Sequence, residues 1–475
     1  MTADPALLAR RLERFRAWQH AIEPERPTEQ RVARRRSEEL AHRLVDCVGG
    51  ELLDTPVGRV VRLETAERMI PVDRDRLGRL PGHPEPRTPL VCLDTETTGL
   101  GTAAGRYAFL VGLGSWQGDA FREIQLLLPD LSDEPAFLAE VARHVPRDAW
   151  LVSYNGVGFD WPLLVTRWRM QRSAPPAHAG HLDLLPLARR LFRHRTGDAR
   201  LGSIEAGVLG IQRAGDVGGC EIPGRYLAFL RDGSPDALVD VVRHNEQDVR
   251  TLARLLAHVA AAADPAAWPG VPAGDLAGLA RLYRRAGRLT EALDCLDAAL
   301  DNALGAPAGG SGPAGERRRA TGPPHAAAAA LVDDSDDDWW WAPRRVPDFG
   351  GRRVNDPGRA WPSGASFADG WSGARLRAER ARLLRRLGQH DEAATAWEAI
   401  GAAGGATAIA AWIEVAKLRE HVLGDLAGAL EATRRGLHQA ERQRFLGRPF
   451  HRLEADLRHR ATRLDRRLAR QRAMA

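Results

Sequence analysis

The chain reads as an α/β domain, a mixed sheet flanked by helices, followed by an all-helical region. Three features predict this. The apolar run Leu90–Leu93 leads straight into Asp94 and Glu96. Short apolar runs then alternate with helical periodicity as far as about residue 262, and beyond Asp275 a spacing of small, aromatic and glycine residues recurs.

Leu90-Val91-Cys92-Leu93 has the length and composition of a buried strand. Asp94 and Glu96 follow at i and i+2, and the strand period of two sends both side chains to one face. Like charges so placed repel and lose hydration unless a cation or hydrogen bonds compensate. A hard divalent cation, which takes oxygen ligands, is the usual compensator. A solvated strand-to-turn corner, with Thr97, Thr98 and Gly99 as the turn, would use the same residues. The remainder of the chain has to decide between them.

Ala108–Trp116 and Phe121–Leu128 read as the next two strands, and Glu134–Val145 as a helix with Phe137, Leu138, Val141 and Val145 on one face. Trp150–Tyr154 is a further short strand. It runs into Asn155-Gly156-Val157-Gly158-Phe159-Asp160, and a helix starts near Trp161-Pro162, where proline is tolerated in the first turn. Asp160 therefore stands where a strand gives way to a helix, the crevice in which α/β sheets carry ligands, although an aspartate there also serves as an N-cap. Asp183 faces the same choice and reads as structural or supporting. Ser234–Val259 is a long helix, in which His244 and Asp248 lie at i and i+4 beside the apolar stripe of Val241, Val242, Val249 and Leu252.

Composition sets the frame. At 475 residues the chain is too long for one ordinary core, and 44% hydrophobic with 27% charged residues is the balance of a globular protein rather than a disordered one. No run of about 18 apolar residues occurs and the N-terminus lacks a signal-peptide pattern, so a cytoplasmic protein with no membrane partner is expected. Cys47, Cys92, Cys220 and Cys295 form no C-x-x-C pair, which argues against a disulfide framework or a zinc site. The net charge is +6 and nearly all of the positive charge is arginine, a residue suited to phosphate contacts.

Together, Asp94 with Glu96, Asp160, and Asp248 resemble the three motifs of the DEDD 3′–5′ exonucleases, a ribonuclease-H-like superfamily. The words Asp-Thr-Glu-Thr-Thr-Gly, Tyr-Asn-x-x-x-Phe-Asp and His-Asn-x-x-Asp-Val occur in the order and contexts that the resemblance requires. More narrowly, the chain is similar to the YprB-like group, bacterial proteins that join such a domain to C-terminal helical repeats. The resemblance covers about Leu90 to Val259.

It implies hydrolysis at single-stranded DNA or RNA ends with two Mg²⁺ or Mn²⁺ ions roughly 4 Å apart. Asp94 would bridge the ions, Glu96 and Asp248 would complete one site, and Asp160 the other. His244 would orient or deprotonate the attacking water, a task that a near-neutral side chain permits. Family variants carry tyrosine four residues, or histidine five, before the last aspartate. Here histidine stands four before it, which leaves the role of His244 open. Tyr154, Asn155 and Phe159 would touch the terminal nucleotide, with Phe159 equally placed to be core. A non-catalytic nucleic-acid-binding adaptor and a structure-selective endonuclease are the alternatives.

In the C-terminal half, Ala280, Tyr283, Gly287, Ala292, Leu296 and Ala299 follow the tetratricopeptide spacing that packs two antiparallel helices. Ala381, Leu384, Gly388, Ala393, Trp397 and Ile400 repeat it, and Trp412, Ala416, Gly424 and Ala429 form a third copy. Such repeats usually present a concave surface to a protein partner.

The expected organisation is a basic helical extension with a small hairpin turning at Pro56-Val57-Gly58 (1–85), a ribonuclease-H-like domain (86–262) and a first tetratricopeptide-like pair (263–301). A low-complexity, largely disordered insertion (302–373) and further tetratricopeptide-like helices (374–475) follow.

Overall fold

The computed structural model describes residues 27–99, 105–213, 215–305 and 373–474. The basic segment Leu7–Leu12 and nearly all of the 302–373 insertion, with Asp333–Asp338 and Trp339–Trp341, lie outside them. The chain divides into two compact units, Met1–Ala267 and Trp268–Ala475.

The first unit is built on an eight-stranded sheet. Its elements are α1 (Pro27–Val48), β1 (Glu51–Thr55), β2 (Gly58–Glu64), β3 (Arg68–Met69), α2 (Arg74–Arg79), β4 (Leu90–Thr97), β5 (Ala108–Gln117), β6 (Ala120–Leu127) and α3 (Glu134–Arg143). They continue with β7 (Trp150–Ser153), α4 (Asp160–Met170), β8 (Gly180–Asp183), α5 (Leu184–Thr196), α6 (Leu201–Ile204), α7 (Ile222–Asp232) and α8 (Leu238–Ala262).

The strand order is β1-β2-β6-β5-β4-β7-β8, with β3 pairing with β6 off this path. β5 runs antiparallel to both β4 and β6, whereas β7 pairs parallel with β4 and β8 parallel with β7. This is the mixed sheet flanked by helices that the sequence predicts.

Two features go beyond the sequence reading. The hairpin set apart with the N-terminal extension continues the sheet, because β2 pairs antiparallel with β6. Val60 and Val61 are both buried in the common core. Gly180–Asp183 forms an edge strand on β7, which four residues are too few to announce by periodicity.

β4 is central, with β5 on one side and β7 on the other, and its parallel pairing with β7 brings their C-terminal ends to one edge of the sheet. α4 leaves the end of β7 at that edge. Its arginine, Arg167, is fully buried and grips Glu134 of α3 through two hydrogen bonds of 2.5 and 2.6 Å, which fixes the two helices against each other. A paired buried ion of this kind is costly to break on one side only.

α8 packs across β4, β5 and β6, burying Val241, Val249, Leu252, Leu255 and Leu256. Its approach is close enough that a Cβ on Gly112 of β5 would lie 2.2 Å from Asn245 Oδ1 and 2.7 Å from Val249 Cγ2. Only a residue without a side chain fits beneath the helix there.

The second unit is helical throughout its described residues. After a 3₁₀ turn at Pro265–Gly270 come α9 (Ala273–Arg285), α10 (Leu289–Gly305), α11 (Gly373–Arg386), α12 (His390–Ala402), α13 (Ala406–His421), α14 (Leu426–Phe445) and α15 (His451–Met474). Each packs on the next. Apart from its exposed glycines, the residues of the recurring spacing, from Ala280, Tyr283 and Ala292 through Trp397 and Ile400 to Trp412 and Ala429, are buried.

The glycines of that spacing, Gly287, Gly388 and Gly424, sit at φ of +77°, +80° and +70° between α9 and α10, α11 and α12, and α13 and α14. That left-handed conformation is why glycine stands at each helix-to-helix turn.

Replacing Gly112 by alanine is expected to lower the stability of the sheet unit by about 1–3 kcal/mol, the usual cost of overpacking. Thermal unfolding of the full chain followed by far-ultraviolet circular dichroism checks this. A midpoint unchanged by Gly112→Ala would mean that α8 lifts away freely.

Candidate active site

Strand β4 carries Asp94 and Glu96 to the C-terminal edge of the parallel strands, as the period of two requires. Asp160 is the first residue of α4 and is buried. It does not act as the N-cap, the position that Phe159 occupies. Instead its carboxylate accepts a hydrogen bond from Thr95 Oγ1, the buried side chain between the two β4 acids. Asp248 and His244 project from one face of α8 toward the same place. His244 Nε2 lies 3.6 Å from Asp248 Oδ2 and 3.9 Å from Glu96 Oε1. Acids from three distant stretches of the chain therefore converge.

The electrostatics show the crowding. Burial, followed by the charges of Asp248, Asp160 and Glu96, holds Asp94 well above the usual carboxylate range. Burial, then Asp248 and Asp160, does the same to Glu96. Burial lifts Asp160 to about 6 against the opposing Thr95 hydrogen bond. Asp248 is also raised by burial, against the pull of His244 and Arg213. Four acids in one place, each made harder to ionise, are the arrangement that positive charge relieves.

Several groups absent from the sequence reading offset part of this cost. Asn245, fully buried, donates from Nδ2 to Asp94 Oδ2 at 2.8 Å. Its own Oδ1 accepts from Gln125 Nε2 at 2.9 Å, and that amide also donates to the Val242 carbonyl at 2.8 Å, so the orientation of Asn245 is set from both ends. Arg213, in the loop before α7, donates to Asp248 Oδ1 and to the buried Glu205, the latter at 2.8 Å from NH2. Burial disfavours the Arg213 charge, but the Glu205 hydrogen bond and the Asp248 charge keep the guanidinium fully protonated. Thr251 of α8 also donates to Glu205, tying the Arg213 loop to the helix.

Asp216, three residues beyond Arg213 in the same loop, accepts from NH1 of Arg213 at 2.9 Å. Its other oxygen lies 2.6 Å from His244 Nδ1. A carboxylate can only accept, so this contact places a proton on Nδ1 and turns Nε2 toward Glu96 and Asp248.

The remaining predicted residues flank this centre. Tyr154 is half-buried, its hydroxyl donating to the Ala199 carbonyl at 2.7 Å. Asn155 exposes its side chain at a left-handed φ of +68°, and its N–H donates to Asp183 Oδ1 at 2.8 Å. Asp183 is thus a structural acid that also caps α5 through the Leu185 N–H. Phe159 is half-buried.

Asn245 and Thr95 lay inside words that the sequence already singled out. Arg213, Glu205 and Asp216 had no local signal, because Glu205 opens a single π-helical turn, Glu205–Leu209, and the other two lie in a loop with no periodicity.

The donor set is entirely of carboxylate oxygen, which suits a hard divalent cation. Among the described residues no three or more His, Cys, Asp or Glu side chains are drawn tightly enough to ligate one ion as they stand. Arg213 takes one oxygen of Asp248.

Residues 91–260 match the family model of the RNase H superfamily. Uncharacterized protein YprB of Bacillus subtilis (strain 168) is 40% identical over 172 residues, which are 36% of this chain and 41% of that protein. The chain thus covers less than half the length of this relative. Over residues 91–260 the chain carries an RNase H-like superfamily domain.

Proposed function

We propose that this domain is a metal-dependent 3′–5′ exonuclease of the DEDD type, hydrolysing phosphodiester bonds at single-stranded nucleic-acid ends. One observation carries the reading: four acids, the half-buried Asp94, Glu96 and Asp248 and the buried Asp160, converge with a histidine whose Nε2 faces Glu96 and Asp248. Those acids would hold two Mg²⁺ or Mn²⁺ ions. Bound there, the cations would supply the positive charge that assists in-line attack at phosphorus and offsets the crowding of the site.

The chain's own residues supply the rest. His244, its Nδ1–H held by Asp216, presents Nε2 to take the proton of an attacking water, the division of labour between a base and the group that orients it. Asn245 keeps one oxygen of Asp94 engaged and so sets the direction of the other. The Tyr154 hydroxyl is committed to the backbone, so that residue would offer its ring for stacking on a terminal base. Asn155, exposed on the same loop, would donate or accept at the nucleotide.

Asp94→Asn and Asp248→Asn are each expected to abolish Mg²⁺- or Mn²⁺-dependent shortening of a 5′-labelled single-stranded oligonucleotide, with His244→Gln slower by roughly 10²–10⁴-fold. Asp216→Asn should lower kcat more than it raises KM. Full activity in both Asp variants would overturn the reading, and cleavage of a circular single strand would convert it to an endonuclease.

Metal-free stability supplies a second check. A carboxyl with a raised folded-state pKa stabilises the protein below its unfolded value of about 4, and that stability is lost as pH rises toward the folded value. In EDTA, Asp94→Asn should therefore melt above the wild type at pH 7, with the gap closing as the pH approaches 4. A gap independent of pH would contradict the electrostatic account.

A further inference from the structure

The charge of the chain is unevenly placed. Residues 426–475 hold 13 arginines against five Asp and Glu, a net +8, while the whole chain nets +6, so the first 425 residues are net −2. All of the excess positive charge sits in the last helical pair.

Helix α15 separates its charge from its core with helical regularity. Leu457 and Leu464 are buried, and Ala461 and Leu468 pack beside them on one face. The periodicity puts Arg452, His459, Arg463, Arg466 and Arg470 on the opposite face, where all five are exposed. Three arginines of this helix, Arg460, Arg463 and Arg467, converge on the buried carboxylate of Glu420 on α13 at 2.6, 2.7 and 2.8 Å. One acid thus anchors three cations and leaves their combined charge under-compensated. Arg442, Arg448, Arg452, Arg466, Arg470 and Arg472 form no ion pair with any described residue. Where α14 ends, at the same tip as Arg448, Phe445 is 91% exposed, with Leu446 beside it at 56%.

We infer that the α14–α15 pair is a binding surface for single-stranded nucleic acid. The choice of this polyanion rests in one respect on the phosphodiesterase reading above, but the surface argues for it separately. Arginine presents a planar fork that fits phosphate, and 24 helical residues extend the stripe over roughly 36 Å, long enough to follow a strand. A bare aromatic ring at one end gives a base somewhere to stack. A membrane surface fits less well, because the apolar face of α15 is already buried against its own fold.

The test uses the full chain carrying Asp94→Asn, in EDTA, and reads fluorescence anisotropy of a labelled single strand of about 20 nucleotides across a salt series. The combined Arg452→Gln, Arg466→Gln and Arg470→Gln variant is expected to bind at least about tenfold more weakly, with the slope of log K against log salt shallower by about 2. The matching three-lysine variant, which keeps the charge, should retain most of the affinity. Phe445→Ala should weaken binding of the single strand more than of a duplex of the same length.

Unchanged affinity and slope in the glutamine variant, equal losses in the lysine and glutamine variants, or no binding by the parent chain would each overturn the inference. Hydrolysis is blocked throughout, so these outcomes are independent of whether the domain cleaves.

Discussion

A single buried amide holds the sheet-bearing half of this molecule in register. Asn245 joins helix α8 to the central strand through Asp94, is itself held by Gln125 of β6, and lies so close to β5 that only glycine fits opposite. Its contacts set the spacing of α8 above the sheet, and that spacing decides whether His244 and Asp248 face Glu96 or miss it. Because the amide is wholly buried, each of its hydrogen bonds would leave an unsatisfied group if broken. This makes the register stiff.

The site so assembled is electrostatically unfavourable without added positive charge. Burial raises all four acids and the charges of the neighbouring site acids raise Asp94 and Glu96 further, and the protein's own compensation is incomplete: a hydroxyl from Thr95, an amide from Asn245 and one guanidinium from Arg213. Cost concentrated at one edge of an otherwise well-packed sheet is what a binding or catalytic centre requires, since the same repulsion that destabilises the free protein becomes attraction for a cation. Arg213 occupies an instructive position. Glu205, itself held by Thr251, grips it from behind, and its remaining donors reach Asp248 and Asp216, so one side chain organises both the last acid and the partner of the histidine.

The helical unit follows different rules. Its turns depend on glycines in the left-handed conformation, and its faces on small residues beneath large ones, so its architecture is local and repetitive. What distinguishes its end is charge rather than shape. The last pair carries more net positive charge than the entire protein, on a face that packing leaves open.

Much of this was legible from residue order. Strand β4, the i and i+2 acids, the strand-to-helix corner at Asp160, the α8 face bearing His244 and Asp248, and the three glycine turns all follow from periodicities of two and 3.6 and from the conformational freedom of glycine, properties of neighbouring residues. The edge strand β8 was too short to show a period, and the continuation of the N-terminal hairpin into the sheet depends on a pairing partner some sixty residues away.

The contacts made by the companions of the acids were not legible, even for Asn245, which stands inside a word that the sequence singles out. Asn245 meets Asp94 across 151 residues, Arg213 meets Asp248 across 35, and Asp216 meets His244 across 28. The sequence by itself determined which carboxylates exist and which face of its own element each occupies, because those depend on local geometry. Only the tertiary structure decided which hydrogen-bond donors and positive charges stand beside them, because that depends on where distant loops come to rest.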